Sequence, residues 1–343
     1  MCSEQVSIID PDPPGEPRAD ERLDTSRLEE YLRQRLPDTE GALDILQFPG
    51  GRANLTYLIR FGEAEYVLRR PPLGPIAPSA HDMGREYRVL SKLFAHFHLA
   101  PRSFLFCEDE SLIGAPFQLM ERRHGVVIRE VIPPPFAGDS QAERLIGEML
   151  IDVLSELHLV DRNKAGLSAL GRPDGFVERQ LEGWAGRWEK SAHEPNAAMT
   201  RLVQWLRRHR PQSHYVALLH NDYKLDNVLV SNREAGRAVA VLDWDMCTSG
   251  DPLMDLGYLL NHWADPTDPS DWLANNSMPS TAAGFPRRDE IIERYSNHTG
   301  FDVDNIHWYY AFSAMKLAVI IQQIFIRFHR GQTMDQRFAH YDE

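Results

Sequence analysis

The 343-residue chain has few cysteines, no excess of positive charge and no obvious long apolar run. Its three cysteines, Cys2, Cys107 and Cys247, lie far apart and match no metal-binding or redox spacing, so we expect a reduced and, by default, cytoplasmic setting. The 50 acidic residues exceed the 37 Lys and Arg and give a net charge of −13. Because nucleic-acid affinity depends on basic residues that neutralise phosphates, this balance argues against a nucleic-acid partner.

Two further classes of protein are disfavoured by the pattern of the chain. Residues 1–24 are rich in Pro, Asp and Glu and lack the basic and apolar regions of a signal peptide, so they predict a disordered acidic tail. We find no stretch that approaches the roughly 20 apolar residues needed to cross a bilayer, and therefore expect no membrane partner. The length and the 43% hydrophobic share suit a globular protein with two lobes.

The most informative stretch is a polar turn after the apolar run that ends at Leu219. It carries His220, Asp222, Lys224 and Asn227, and a second apolar run then leads to Asp243. The pattern His-x-Asp-x-x-x-x-Asn with a later Asp is typical of the catalytic loop of kinase-like phosphotransferases.

Each polar residue of this turn has a predicted role. Asp222 would accept the proton of the attacked hydroxyl, and Lys224 would reach the transferring phosphoryl group. Asn227 and Asp243 would hold Mg²⁺, which prefers hard oxygen ligands. The alternative is an ordinary polar turn between two strands, since such turns favour Asp and Asn.

Upstream, the alternation of apolar residues predicts three strands, at 43–48, 55–61 and 65–70. The first connection contains Gly50, Gly51 and Asn54, and could lay its backbone amides over nucleotide phosphates. Any hairpin would accept two glycines equally well, so both interpretations stay open here.

The end of the third strand and the following helix supply a candidate ion pair. Arg69 stands where kinase folds usually carry the Lys that binds the α and β phosphates, and Glu86, in a helix from about 81 to 96, would hold it in place. A solvated strand end and a surface Glu are the alternatives. After two more strands, at 103–107 and 116–120, backbone groups near Met120 and Glu121 would read the adenine edge at a hinge.

The remainder of the chain predicts helices. The segment 140–143 reads as a capping box that opens a core helix, with His158 at its end as a structural residue. The segment 172–215 is either an acceptor-binding insertion or an amphipathic helix pair that covers the core. Asp255 would brace the catalytic loop from below, and the last helix, at 308–330, would bury its apolar residues.

This ordered set of residues resembles the aminoglycoside phosphotransferase and choline kinase superfamily. A narrower likeness is to the branch related to the kinase domain of acyl-CoA dehydrogenase family members 10 and 11. It is carried by the stretch Tyr-Val-Leu-Arg-Arg-Pro-Pro at 66–72, by 78–81 and 85–88, and by the final helix.

The resemblance implies an α+β, two-lobed, protein-kinase-like fold. A small antiparallel-sheet lobe would span 25–121 and a larger, mostly helical lobe 122–343, with ATP and Mg²⁺ in the cleft between them. The expected reaction is phosphoryl transfer to a small-molecule hydroxyl, for example of a hydroxy acid or hydroxyacyl-CoA. An aminoglycoside antibiotic phosphotransferase and a non-catalytic nucleotide-binding regulatory module are the alternatives, because a fold alone does not fix a substrate.

Overall fold

A five-stranded antiparallel sheet forms the first part of the computed structural model, which describes residues 13–49, 54–72, 82–192 and 194–331. Its strands are β1 (Leu43–Gln47), β2 (Leu55–Phe61), β3 (Ala64–Arg70), β4 (Ser103–Cys107) and β5 (Phe117–Glu121). They lie in the order β1-β2-β3-β5-β4, and Gly62 makes the β2–β3 turn with a positive φ of 56°. All five strands were predicted within two residues. Gly50 and Gly51 lie outside the described residues.

The first helix, α1 (Thr25–Arg33), packs on this sheet together with the residues that precede it. Gly15 exchanges two backbone hydrogen bonds with Gln47 of β1, at 2.9 and 2.7 Å. The Tyr57 hydroxyl donates to the carbonyl of Glu21 at 2.7 Å. The prediction of a disordered tail is therefore wrong for residues 13–24, where polar side chains and backbone groups find partners on the sheet.

The helix α2 (Met83–Leu93) belongs to both parts of the molecule. Asp82 caps its first turn, and its buried Val89, Leu90 and Leu93 pack into the larger, C-terminal hydrophobic core rather than the core beneath the sheet. Glu86, on the same helix, is only 1% exposed. The helix thus places a buried carboxylate where the two cores meet.

The larger core is enclosed by helices and two small sheets. The strands β6 (Val126–Val127), β8 (Val228–Val230) and β9 (Ala238–Val241) form one sheet, and β7 (Ala217–Leu219) and β10 (Thr248–Gly250) the other. The helices are α3 (Ser140–His158), α4 (Phe176–Ser191), α5 (Ala197–Arg208), α6 (Leu253–His262), α7 (Ser270–Ala274), α8 (Arg288–Thr299) and α9 (Ile306–His329). The predicted catalytic loop, residues 220–227, runs between β7 and β8, so each end of the loop is fixed by a strand.

The predicted capping box at the start of α3 is wrong. Asp139, not Ser140, is the N-cap, and its carboxylate accepts from the backbone amides of Gln141 and Ala142 at 3.0 and 3.3 Å. Glu143 reaches the amides of Gly138 and Gly284 instead. An adjacent Asp competes successfully with Ser because its charged oxygen accepts more strongly near the helix N-terminus.

Helix α9 corrects another expectation. It has 24 residues with a mean hydropathy of 1.4 over an 18-residue window, so it is long and apolar enough to cross a membrane by length and composition. Core helices of folded proteins meet the same criteria, and here α9 packs against α4, α5 and α6. Trp308, Phe312 and Met315 are buried as predicted, whereas Ile321, also predicted to be buried, is 42% exposed.

Candidate active site

The catalytic loop is held from below by one buried carboxylate. Asp255, on the first turn of α6, is fully buried and accepts from the backbone amides of His220 and Asn221 at 2.6 and 2.8 Å. His158 approaches the same carboxylate at 3.4 Å. Burial raises the pKa of Asp255, but hydrogen bonds from His158 and the His220 amide lower it more, so the net shift is downward. Asp255 thus lies where the sequence predicted a brace, and His158 is a buried structural residue.

Asp222 receives a hydrogen bond on each carboxylate oxygen. The Tyr258 hydroxyl donates to Oδ1 at 2.6 Å, and the Asn227 amide group donates to Oδ2 at 2.9 Å. These two donors fix the orientation of the carboxylate. Tyr258 was not predicted as a site residue, although its position three residues after Asp255 puts both side chains on one face of α6.

The orientation of Asn227 bears on the metal. Its Nδ2 donates to both the backbone carbonyl and the carboxylate of Asp222, so its Oδ1 is directed away from these contacts. Asp243 and Asn227 line one cavity, which is described below. Asp243 has a positive φ of 66°, a conformation that non-glycine residues adopt rarely and mainly at functional sites. An amide oxygen and a carboxylate fit Mg²⁺, which completes its shell with phosphate oxygens and water.

Other metal chemistry finds no support in the described ranges. Among residues 13–49, 54–72, 82–192 and 194–331, no group of three or more His, Cys, Asp and Glu side chains could hold a metal ion. A closed structural zinc site would need about four such ligands. That Asn227 and Asp243 hold Mg²⁺ together with a nucleotide stays a prediction.

Arg69 bridges two carboxylates from different parts of the chain. One guanidinium nitrogen pairs with Glu86 on α2, and the other donates to Asp243 Oδ1 at 2.8 Å. Glu86 also accepts from the Trp244 amide at 3.3 Å and from the Gln118 side chain. Burial raises the pKa of Glu86 to about 7 despite the opposing charge of Arg69. The predicted pairing of Arg69 with Glu86 is present, and the contact with Asp243 is additional.

A cavity of about 310 Å³ lies between the five-stranded sheet and the β6-β8-β9 sheet, a volume within the range of small-molecule sites. Val67, Leu229 and Leu242 give it apolar walls, as a flat heterocycle would require. The residues predicted to bind nucleotide or metal that line it are Asn54, Arg69, Glu86, Met120, Glu121, Asn227 and Asp243. Their convergence agrees with the predicted cleft, and their individual roles stay predictions.

Lys224 lies on the catalytic loop beside Asp226. Its ammonium is 3.3 Å from the Asp226 carboxylate, a contact that the sequence did not indicate. Burial lowers the pKa of Lys224, but Asp222 and Asp226 raise it more, so the ammonium stays charged. A fixed positive charge next to Asp222 is what the predicted role of Lys224 requires.

The buried carboxyl of Asp245 makes the free energy of unfolding depend on pH. Burial, Asp243 and Asp222 raise its pKa from 3.8 to about 6. Because the pKa of Asp245 is higher in the folded state than in the unfolded state, this group lowers stability as pH rises from about 4 to 6, and the cost persists above that.

In Mg²⁺-free buffer we expect Asp245→Asn to raise the free energy of unfolding by about 1–2 kcal/mol at pH 8 and by much less at pH 4. Urea unfolding at both pH values measures this; an equal gain at both, or the same gain in the exposed-site control Asp271→Asn, would contradict it.

The segment 172–215 forms the antiparallel pair α4 and α5, which packs on α9. Phe176, Leu181 and Trp184 are buried there, which supports the interpretation as a helix pair that covers the core. Phe176 and Gln180 also line a small cavity together with Tyr258 and Lys316, so α4 borders the catalytic loop as well. A role of this segment in acceptor binding stays a prediction.

Comparisons with known proteins place these features in a family. The model of the phosphotransferase enzyme family matches residues 44–291. Acyl-CoA dehydrogenase family member 11 of Rattus norvegicus is 35% identical over 324 residues, which are 92% of this chain but only 41% of that protein. The chain thus spans about two fifths of the length of this relative, and the predicted branch is confirmed.

Solved structures agree on the fold. A crystal structure from Ralstonia eutropha, provisionally named an aminoglycoside phosphotransferase, is 30% identical, with a TM-score of 0.79 and coverage of 93% of this chain and 94% of that one. A thermostable mutant of an aminoglycoside phosphotransferase, solved with AMP-PNP and hygromycin B, has a TM-score of 0.58 over 90% of this chain and 93% of that one, at 17% identity. The predicted two-lobed, kinase-like α+β fold is confirmed.

Proposed function

We propose that this chain, which belongs to the phosphotransferase enzyme family, transfers the γ-phosphoryl group of ATP to the hydroxyl of a small molecule. The observation that carries the proposal is the position of Asp222. Its carboxylate is held by Tyr258 and by Asn227, and Asn227 also lines the nucleotide-sized cavity. A base and a metal ligand thus share one hydrogen bond at the edge of that cavity.

In the proposed reaction the acceptor oxygen attacks the γ-phosphorus, and the bond to the β–γ bridging oxygen breaks to leave ADP. Asp222 takes the proton of the acceptor hydroxyl, and Lys224 stabilises charge on the transferring group. Asn227 and Asp243 would hold Mg²⁺, which neutralises phosphate charge when bound. Because the transition state of phosphoryl transfer is loose, correct positioning supplies most of the catalysis.

We take a hydroxy acid or hydroxyacyl-CoA as the acceptor class, in line with the name of the rat relative. The alternative of a cationic aminoglycoside draws on the name of the Ralstonia eutropha structure. One observation weakens that alternative: Asp265 and Asp268, after α6, both form an ion pair with Arg288. Two carboxylates that share one arginine attract a polycation less strongly than two unpaired ones.

The experiment that tests the proposal separates binding from turnover. Thermal shift with ATP, with and without Mg²⁺, measures nucleotide binding; an ATP-consumption screen then compares hydroxy acids, hydroxyacyl-CoAs, aminoglycosides and amino alcohols. We expect Mg²⁺-dependent stabilisation by ATP and consumption with an acid or thioester acceptor. Phosphorylated aminoglycoside products would favour the antibiotic alternative. Binding without consumption across the whole panel would favour the non-catalytic regulatory module and overturn the enzymatic proposal.

A further inference from the structure

Lys316, on α9, is a cation for which the proposed mechanism has no role. Its ammonium lies 4.3 Å from the centre of the Tyr258 ring and 5.7 Å from that of Trp184 on α4. It donates one hydrogen bond, at 3.0 Å, to the backbone carbonyl of Asn221. Burial lowers the pKa of Lys316. The helix thus brings a desolvated ammonium against the catalytic loop.

Two carboxylates, Asp222 and Asp255, act on the ammonium from beyond ion-pair distance, and burial outweighs their effect on its pKa. Within the part of the chain that the structure describes, no carboxylate forms an ion pair with Lys316. The Asp222 carboxylate also contacts Tyr258, but it accepts from the Tyr258 hydroxyl, whereas Lys316 lies against the ring. A lysine ammonium has three N–H donors, and Asn221 uses one. The other two N–H groups have no hydrogen-bond partner among the described residues, so they favour an anionic ligand.

The surroundings of Lys316 form a site rather than a flat surface. The small cavity that it lines is bounded by α4, α6, α9 and the catalytic loop. Its lining includes Gln180, Tyr258 and Ser313, and also the Asp255 carboxylate, whose two oxygens accept from the loop amides. A second unsatisfied group lies against the same tyrosine: the His262 ring packs edge-on to Tyr258 at 4.9 Å, and its buried Nε2 has no hydrogen-bond partner among the described residues. Burial, Lys224 and Lys316 lower the pKa of His262 to about 4, so this ring is neutral and adds no competing charge.

We propose that Lys316 determines acceptor specificity by binding a carboxylate of the acceptor. The Tyr258 side chain separates the ammonium from Asp222, so an acceptor that spans this side chain would have its carboxylate on Lys316 and its hydroxyl beside Asp222. This assignment rests on the proposed phosphotransferase function and deepens it. Lys316 acts on binding and orientation and takes no part in proton transfer.

The test compares matched acids and amides in Lys316 variants. The acceptors are 3-, 4- and 5-hydroxypentanoate and the three corresponding hydroxypentanamides, each assayed with Mg·ATP. We expect the wild type to prefer an acid by about 10- to 100-fold in kcat/KM, the range of a charge-assisted hydrogen bond. Lys316→Met should abolish that preference through a raised KM for the acid, and Lys316→Arg should restore part of it.

Lys92→Met is the matched control, because Lys92 also donates to a backbone carbonyl at 3.0 Å but lies on α2, away from the site. It should keep the preference of the wild type for acids. A purely structural role of Lys316 would lower kcat with acids and amides alike. An unchanged acid-to-amide ratio in Lys316→Met would therefore overturn the assignment.

A binding measurement separates this assignment from the proposed function. Titration calorimetry with pentanoate and pentanamide, in the presence of Mg·ADP, needs no turnover. If no hydroxypentanoate is phosphorylated, these hydroxy acids are not acceptors, and the calorimetry decides on Lys316 alone. Pentanoate binding that Lys316→Met loses supports the carboxylate site; no pentanoate binding to the wild type, or equal binding to both proteins, overturns it.

Discussion

Asp222→Asn is expected to lower kcat for acceptor phosphorylation by about 10³-fold, within the range that a positioned general base contributes. The substitution keeps the size of the side chain and its hydrogen bonding to Tyr258 on one side, but an amide cannot take the acceptor proton. The affinity for ATP should change little, because Asp222 is not among the residues that line the nucleotide cavity. Initial rates and a nucleotide titration of the same preparation measure the two effects.

The matched control for this substitution is Asp161→Asn, on an exposed loop after α3, where the carboxylate caps the amides of Asn163 and Lys164. It should keep wild-type turnover. Tyr258→Phe removes only one of the two donors to Asp222 and should give a smaller loss, of roughly 10-fold, by loosening the carboxylate. Turnover by Asp222→Asn at the rate of the wild type would contradict the assignment of Asp222 as the base.

The second large effect is expected at the predicted metal ligand Asp243. Asp243→Ala should make nucleotide binding independent of Mg²⁺ and lower kcat by roughly 10³-fold, because the metal would lose its carboxylate and the phosphate charge would be poorly neutralised. Calorimetric titration of ATP with Mg²⁺ and with EDTA measures this directly. The wild type should show much tighter binding with Mg²⁺, and the variant should show similar affinities in both buffers.

Two other outcomes for Asp243→Ala have different meanings. Retention of the Mg²⁺ effect in Asp243→Ala would show that the cation is held elsewhere. Unfolding of the variant would leave binding unreadable, so Asp243→Asn, which retains an oxygen and a similar volume, is the companion substitution. It should keep the fold and weaken the dependence on Mg²⁺. Asp161→Ala controls for the loss of a carboxylate as such.

The parts of the site that depend on short sequence spacing could be predicted. The loop from His220 to Asn227 is local, and the strands on both sides of it have clear apolar runs, so its placement follows from the sequence. The pairing of Arg69 with Glu86 was predicted because the two residues stand where kinase folds carry a paired Lys and Glu. The brace from Asp255 was predicted because a carboxylate heads a helix just after the loop.

The residues that the sequence did not indicate reach the site through tertiary packing. Tyr258 bonds Asp222 across 36 residues, and Lys316 bonds Asn221 across 95. Each lies in a helix whose apolar pattern predicts only burial, and no local spacing connects either residue with the loop. The prediction of the N-cap of α3 failed for a different reason. Two adjacent residues were both good caps, and sequence alone could not rank them.

The bridge that Arg69 makes between Glu86 and Asp243 has a thermodynamic consequence. One guanidinium nitrogen of Arg69 donates to the carboxylate that we assign to the metal. A cation that takes Asp243 releases this N–H for the phosphates, and phosphates that take Arg69 release Asp243 for the cation. Each ligand thus lowers the cost of binding the other, and by linkage the two effects must be equal. If ATP and Mg²⁺ bind as proposed, an arginine at this position, with two separate hydrogen-bonding arms, would make them cooperative ligands even before they contact each other.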